Sequence, residues 1–222
     1  MSNRELVKRY LVLLPGVFIT GFGIACITKA GLGSTPISAL PYTLSLIFPA
    51  ITFGTYTAAF NILMALLQIP LSRGKLELKS LVIQIILSVI LGKFIDISNF
   101  FLSSICPGIY SLKLVMLLCG CIIMAFGIYV QLTSGVNMSP GDSFTKALSE
   151  FTGKSFGGTR VVMDSVLTIS AAGLSFAVFG KFLSAREGTI IVALIMGNIV
   201  KVCGRLFKKK ADSFMEKYII EV

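Results

Sequence analysis

The chain is 222 residues long, 55% hydrophobic and only 14% charged, with a mean hydropathy of +0.90. Soluble domains carry about a quarter charged residues, so this composition belongs to the bilayer. The net charge of +10 sits in short connectors between apolar runs rather than on an aromatic-studded basic face, which excludes nucleic acid as a partner.

Chemistry is restricted as well. Without histidine the chain can build no histidine zinc site, no histidine general base and no Ser-His-Asp triad. No nucleophile motif or metal cluster stands out either. The expectation is a protein that is not an enzyme, with no catalytic residue, cofactor or metal. The five cysteines, Cys26, Cys106, Cys119, Cys121 and Cys203, are odd in number and lack CxxC spacing, so they read as small buried hydrophobes.

The first apolar run follows Arg4–Arg9 and extends from Tyr10 to about Thr28. It is too long for a signal-peptide core and no A-x-A site closes it, which predicts a first span that is retained. Six stretches are long enough to cross about 30 Å of hydrocarbon, near 10–28, 53–71, 80–98, 112–132, 157–180 and 187–204. Two shorter ones, near 36–48 and 140–151, contain prolines or charges and suit re-entrant or interfacial helices. With six spans and a cytoplasmic N-terminus, fourteen of the 20 Lys and Arg fall on the inner side, counting Lys201 at the inner end of the sixth span. Four (Lys29, Lys113, Lys181, Arg186) fall outside, and Lys93 and Arg160 lie within spans. Counting the short stretches as crossings would put Arg73, Lys75 and Lys79 outside and weaken that bias.

Residues 22–45 recur 104 positions later at 126–149. Phe22-Gly23-Ile24, Gly31, Pro36 and Leu44-Ser45 fall on Phe126-Gly127-Ile128, Gly135, Pro140 and Leu148-Ser149. One residue out of step, Phe53-Gly54 and Asn61 fall on Phe156-Gly157 and Asp164; one out the other way, Ile90-Leu91-Gly92 falls on Ile195-Met196-Gly197. Three crossings per copy turn the second copy over. The predicted fold is therefore all-α integral membrane, with six transmembrane helices as two inverted three-helix repeats, each carrying a short re-entrant or interfacial helix. Repeat one covers about 10–98 and repeat two about 112–204 of a single membrane domain, 1–204. Residues 205–222 form a basic cytoplasmic amphipathic tail that either binds acidic lipid head groups or anchors the last span.

Both short segments open alike, with Thr35-Pro36 and Ser139-Pro140. A hydroxyl cap before a proline is a helix start, and Asp142, three residues after Ser139, approaches a capping box. Two readings fit. The caps either stop buried ends from fraying, or present two half-helix N-termini to a cavity that favours an anionic or carboxylated ligand. Arg160 and Asp164 lie four apart on one face of the fifth span, opposite Thr57 and Asn61 in the repeat. They are either a self-contained ion pair or a substrate contact, with Asp164 or Asp142 as a proton carrier. Lys93 and Asp96 form a similar pair near a helix end and read as structural. Gly120/Gly127 and Gly188/Ala193/Gly197 read as faces for close helix packing. Asn137-Met138-Ser139 fits a glycosylation triplet but lies on the side assigned as inner.

Gly23-Ile24…Ala30-Gly31-Leu32-Gly33-Ser34-Thr35-Pro36 resembles the YczE/YyaS/YitT family of bacterial integral membrane proteins. So do its echo Gly135–Asp142, the run Gly153-Lys154-Ser155-Phe156-Gly157…Arg160…Asp164, and Gly188-Thr189…Ala193…Gly197, over roughly residues 10–204. Ile37 and Ser38 stand where that family commonly has an acidic residue and an aromatic; the second Pro-x-Asp is retained. The resemblance implies a small multi-pass protein of the bacterial plasma membrane, with transport or export proposed for some members.

The function expected is a secondary transporter or exporter of a small solute at the repeat interface, with both termini cytoplasmic. Thr35, Pro36, Asn61, Ser139, Asp142, Arg160 and Asp164 are its candidate substrate-binding residues. Its partners would be the lipid bilayer, an unidentified and by the caps anionic solute, a coupled proton or ion, and a second copy in a homo-oligomer. The alternatives are a substrate-binding subunit of an ATPase-driven uptake complex and a non-transporting scaffold.

Overall fold

A computed structural model describes residues 3–72, 77–105, 107–136 and 139–218. Arg73, Lys75, Cys106, Asn137 and the last four residues, all used in the sequence reading, lie outside the described residues. Eight helices follow one another: α1 Asn3–Lys29, α2 Pro36–Ile47, α3 Phe53–Leu71, α4 Leu78–Phe101, α5 Tyr110–Ser134, α6 Pro140–Thr152, α7 Phe156–Phe179 and α8 Glu187–Tyr218. No strand occurs among the described residues. Six helices are long and apolar enough to cross a membrane, α1 from Val7 and α8 as far as Phe207; α2 and α6 are too short. α8 runs unbroken through 205–218, so the expected tail continues the last span as helix.

Helix ends fall where backbone chemistry dictates. α3 and α7 start on Thr52 and Ser155, whose side chains accept from the backbone N–H of Thr55 and Gly158. Gly135 and Gly153 close α5 and α6 at φ of +64° and +69°, the left-handed conformation that a β-carbon disfavours.

α1 and α5 form the central pair and run antiparallel. β-Carbons on Gly16, Gly23, Gly120 and Gly127 would stand 2.5–2.9 Å from atoms of Gln131, Met124, Ile27 and Thr20 respectively, so the two backbones are in near contact. Without a hydrophobic drive between helices in lipid, such close approach supplies the attraction by packing. The Gly120/Gly127 face expected from the sequence is thus used. Of the other, Gly188 packs on Leu32, whereas Gly197 meets nothing within 4 Å and Ala193 is exposed. Around this pair, Ile27, Leu32, Leu117, Cys121 and Val192 build one apolar core, and Ile24, Phe53 and Ile95 a second. Cys26, Cys121 and Cys203 are buried as expected, but Cys119 is exposed.

α4 packs on α1 and α8 on α5; α2 packs on α7 and α6 on α3. α3 and α4 touch at Gly54 and Gly92, where a β-carbon on either would collide with the other's carbonyl oxygen. Asp96 is drawn into this contact. Its carboxylate accepts from the Gly54 N–H at 2.8 Å and the Thr52 hydroxyl at 2.7 Å, satisfying the start of α3. This corrects the expected Lys93–Asp96 pair: the helix N-terminus offers the carboxylate fixed donors and a favourable dipole.

Buried polar groups tie the short helices in place, as backbone and side-chain dipoles must be satisfied internally in hydrocarbon. Gln68 of α3, buried, donates to Gln84 of α4 at 2.9 Å and to the Pro140 carbonyl at the start of α6 at 3.3 Å. The segment before α2 is fastened to the start of α8: Gly188 N–H donates to the Leu32 carbonyl at 2.9 Å and Ser34 N–H to the Thr189 hydroxyl at 3.1 Å.

Candidate functional site

The two proline-led helix starts converge. Thr35 is the N-cap of α2, its hydroxyl accepting from Ser38 N–H at 3.2 Å, with Pro36 at the first helical position. α6 starts with Pro140, and Ile37 of α2 reaches Gly141 of α6, its Cδ1 2.9 Å from where a β-carbon would stand. These two residues are 104 positions apart, so the short helices meet at corresponding points of the repeat.

The expected capping box at α6 does not form. Ser139 makes no side-chain cap bond, and the Asp142 carboxylate accepts instead from Arg160 Nη1. A guanidinium is the stronger partner because the bond joins two full charges. Arg160 Nε also donates to Asp164 Oδ2 at 3.1 Å, so the expected four-apart pair exists but is not self-contained. One guanidinium is shared by carboxyl groups from two helices, so acidic groups outnumber basic ones two to one in the cluster among the described residues. All three side chains keep only about a fifth to a third of their exposure (20–32%). Asp164 Oδ1 is buried and has no hydrogen-bond partner among the described residues.

A small central cavity of about 100 Å³ lies against this cluster and is walled by α1 to α7. Thr35, Asn61, Ser139, Asp142 and Arg160 line it. Pro36 and Asp164 face a neighbouring cleft instead, about 370 Å³ in volume, between α7 and α8. The Arg160–Asp164 pair is thus the partition between the two spaces. The seven residues singled out in the sequence all line one or the other of these two neighbouring spaces.

Residues 7–205 match a family described as "Family of unknown function (DUF6198)". The chain belongs to this family. It is 25% identical over 200 residues to "Uncharacterized membrane protein YczE" of Bacillus subtilis (strain 168), covering 90% of this chain and 86% of that one. The resemblance read from the glycine-proline motifs is therefore confirmed, and the chain is an integral membrane protein. No solved structure matches.

The chain also lines its cavity with residues that the motifs did not mark. Gln131 of α5 donates to the Thr20 hydroxyl of α1 at 2.6 Å and to the Gly16 carbonyl at 3.3 Å, and both Gln131 and Thr20 face the cavity. The available signal was an amide inside an otherwise apolar run, since an isolated polar side chain in a span needs an internal partner. Among the described residues no group of three or more His, Cys, Asp or Glu could hold a metal ion.

Proposed function

We propose that this protein is a secondary transporter that moves a small organic solute through the central cavity. The observation that carries the reading is the Asp142–Arg160–Asp164 cluster, partly buried between helices and set beside the meeting point of two helix N-termini. Ionisable groups are costly in a membrane, and in that setting they mark a pathway. The two halves act as inverted repeats rocking about the α1/α5 axis. This arrangement is supported by the antiparallel α1/α5 pair, by the contact of Ile37 with its counterpart Gly141, and by the exchange of α2 and α6 onto the other half's third helix.

The helix N-termini alone favour an anion, but the charge balance of the cluster argues otherwise. Two carboxylates share one guanidinium, so the site is completed by a cation or by a proton. A proton on Asp164 or Asp142 would couple solute movement to the proton gradient, with Arg160 released from one partner at each protonation. The protein moves its solute unaltered, without cofactor or catalytic residue.

Proteoliposomes holding the full chain and a pH-sensitive dye test this. Some solute in a broad panel should produce uptake or proton flux that Asp164→Asn and Arg160→Ala abolish. If no solute or proton movement responds to either variant, the transport reading fails.

A further inference from the structure

The two halves differ in how their last two long helices meet. α3 and α4 close on each other through Gly54 and Gly92. Their repeat counterparts are Gly157 of α7 and Gly197 of α8, and β-carbons on both would meet nothing within 4 Å. The glycines that would let α7 and α8 touch are present, yet the helices stand apart and the 370 Å³ cleft lies between them. Val161 and Ile169 form one wall, Ile190 and Leu194 the other, each more than 60% exposed. In a membrane that exposure is toward lipid. Asp164 also lines this cleft, and its Oδ1 accepts from nothing among the described residues.

We infer that the α7/α8 cleft is a lateral binding site for an amphiphilic organic cation, a protonated amine with an apolar tail, taken from the lipid phase. The ammonium pairs with the Asp164 carboxylate, whose side chain keeps 20% of its exposure and lines the cleft, and supplies a positive charge to the cluster; the tail lies between Val161, Ile169, Ile190 and Leu194. The volume falls within the range of small-molecule sites, which are mostly apolar with a few placed polar groups. Lys181 and Arg186 line an adjoining surface pocket that shares Ile169 and Ile190 with the cleft. An anionic head group is the rival occupant there. Arg186, however, already pairs with Glu187 at 3.0 Å and donates to the Gly31 carbonyl, whereas Asp164 Oδ1 has no partner among the described residues.

The inference rests on the transport reading only for the cluster they share, so its test reads binding rather than flux. The chain has no tryptophan, so Leu194→Trp gives a single fluorescent reporter in the cleft, and Ile122→Trp, exposed on α5, a control. Full-length protein in liposomes is titrated with an alkylammonium brominated on its chain, a brominated fatty acid and brominated phosphatidylglycerol. The alkylammonium should quench Leu194→Trp with a saturable component absent from Ile122→Trp and absent with the two anionic probes. Loss of a charge-assisted hydrogen bond should raise the half-saturating concentration about 10- to 100-fold in Asp164→Asn, with Asp164→Glu recovering most of it. Should the Asn variant fail to fold, Ala193→Phe fills the cleft from its exposed wall and leaves the cluster intact; it should remove the saturable component. Equal quenching by all three probes, saturable quenching by phosphatidylglycerol, or a curve unmoved by these variants overturns the inference. Saturable amine binding without flux would sink transport and leave the site standing; flux without such binding would do the reverse.

Discussion

A β-carbon on Gly23 of α1 would stand 2.6 Å from the backbone nitrogen of Met124 on α5, and one on Gly127 would stand 2.6 Å from the backbone nitrogen of Thr20. The two contacts are reciprocal, because Met124 follows Thr20 by the same 104 positions that separate Gly127 from Gly23. Backbone atoms are among the obstructions at both sites, so neither can relax by turning a side chain alone. Gly23→Ala and Gly127→Ala should each cost about 1–3 kcal/mol through overpacking of the central pair. Gly173→Ala on α7, where the added carbon meets nothing, should stabilise by up to about 1 kcal/mol on helix propensity alone. Thermal unfolding of the three variants in one detergent compares them; similar midpoints for all would contradict the close packing.

Removing the shared cation should hurt more than removing either anion. Arg160→Met leaves two carboxylates of different helices, 20–30% exposed, facing each other without a counter-charge. Breaking a fully buried pair costs about 3–5 kcal/mol, and partial exposure reduces that to about 2–3 kcal/mol here. Combining Arg160→Met with Asp142→Asn and Asp164→Asn should recover most of the loss, since no charge then remains to be balanced. Unfolding midpoints decide it. A triple variant no more stable than Arg160→Met alone would mean that the guanidinium contributes by packing rather than by charge.

Asp96 supports a helix start rather than a neighbouring lysine. Asp96→Ala should cost about 1–2 kcal/mol, as losing an N-terminal cap does, because the Gly54 N–H and Thr52 hydroxyl lose their acceptor. Lys93→Ala should change stability by less than about 0.5 kcal/mol, the level of ordinary surface substitutions. Equal losses from the two would restore the ion pair that their spacing suggests.

Much of the architecture was legible because the bilayer simplifies the code. Length and hydropathy alone place α3 at 53–71, and Pro36 and Pro140 mark the starts of both short helices, since proline at the first turn removes only an N–H that is unpaired anyway. The ionisable residues in spans led to the site for the same reason: in hydrocarbon they need a purpose. Pairing was less legible. Spacing placed Asp164 beside Arg160, but Asp142 joins them from a separate helix, and only tertiary packing brings it there. Asp96 misled because i,i+3 spacing says nothing of a helix end arriving from α3. Gln131 and Thr20 were passed over because a hydroxyl or an amide in a span usually ends in a local bond, and here the bond crosses between α1 and α5. The open α7/α8 pair could not be read at all, since Gly157 and Gly197 repeat the letters of Gly54 and Gly92 while their surroundings differ.

The inverted arrangement yields a prediction that separates it from a parallel duplication. Ala50 precedes α3 and Lys154 precedes α7, at corresponding positions 104 residues apart, and both are exposed. In a parallel duplication they would lie on the same face of the membrane. In the inverted arrangement Ala50→Cys should react with an impermeant thiol reagent from outside intact cells, while Lys154→Cys should react only after the membrane is opened. The excess of Lys and Arg in the segments assigned as inner sets the expected side of each. A cysteine-free background is needed because Cys119 is exposed. Labelling of both positions from one side would remove the twofold axis, and with it the reason for the two helix starts to meet where Ile37 touches Gly141.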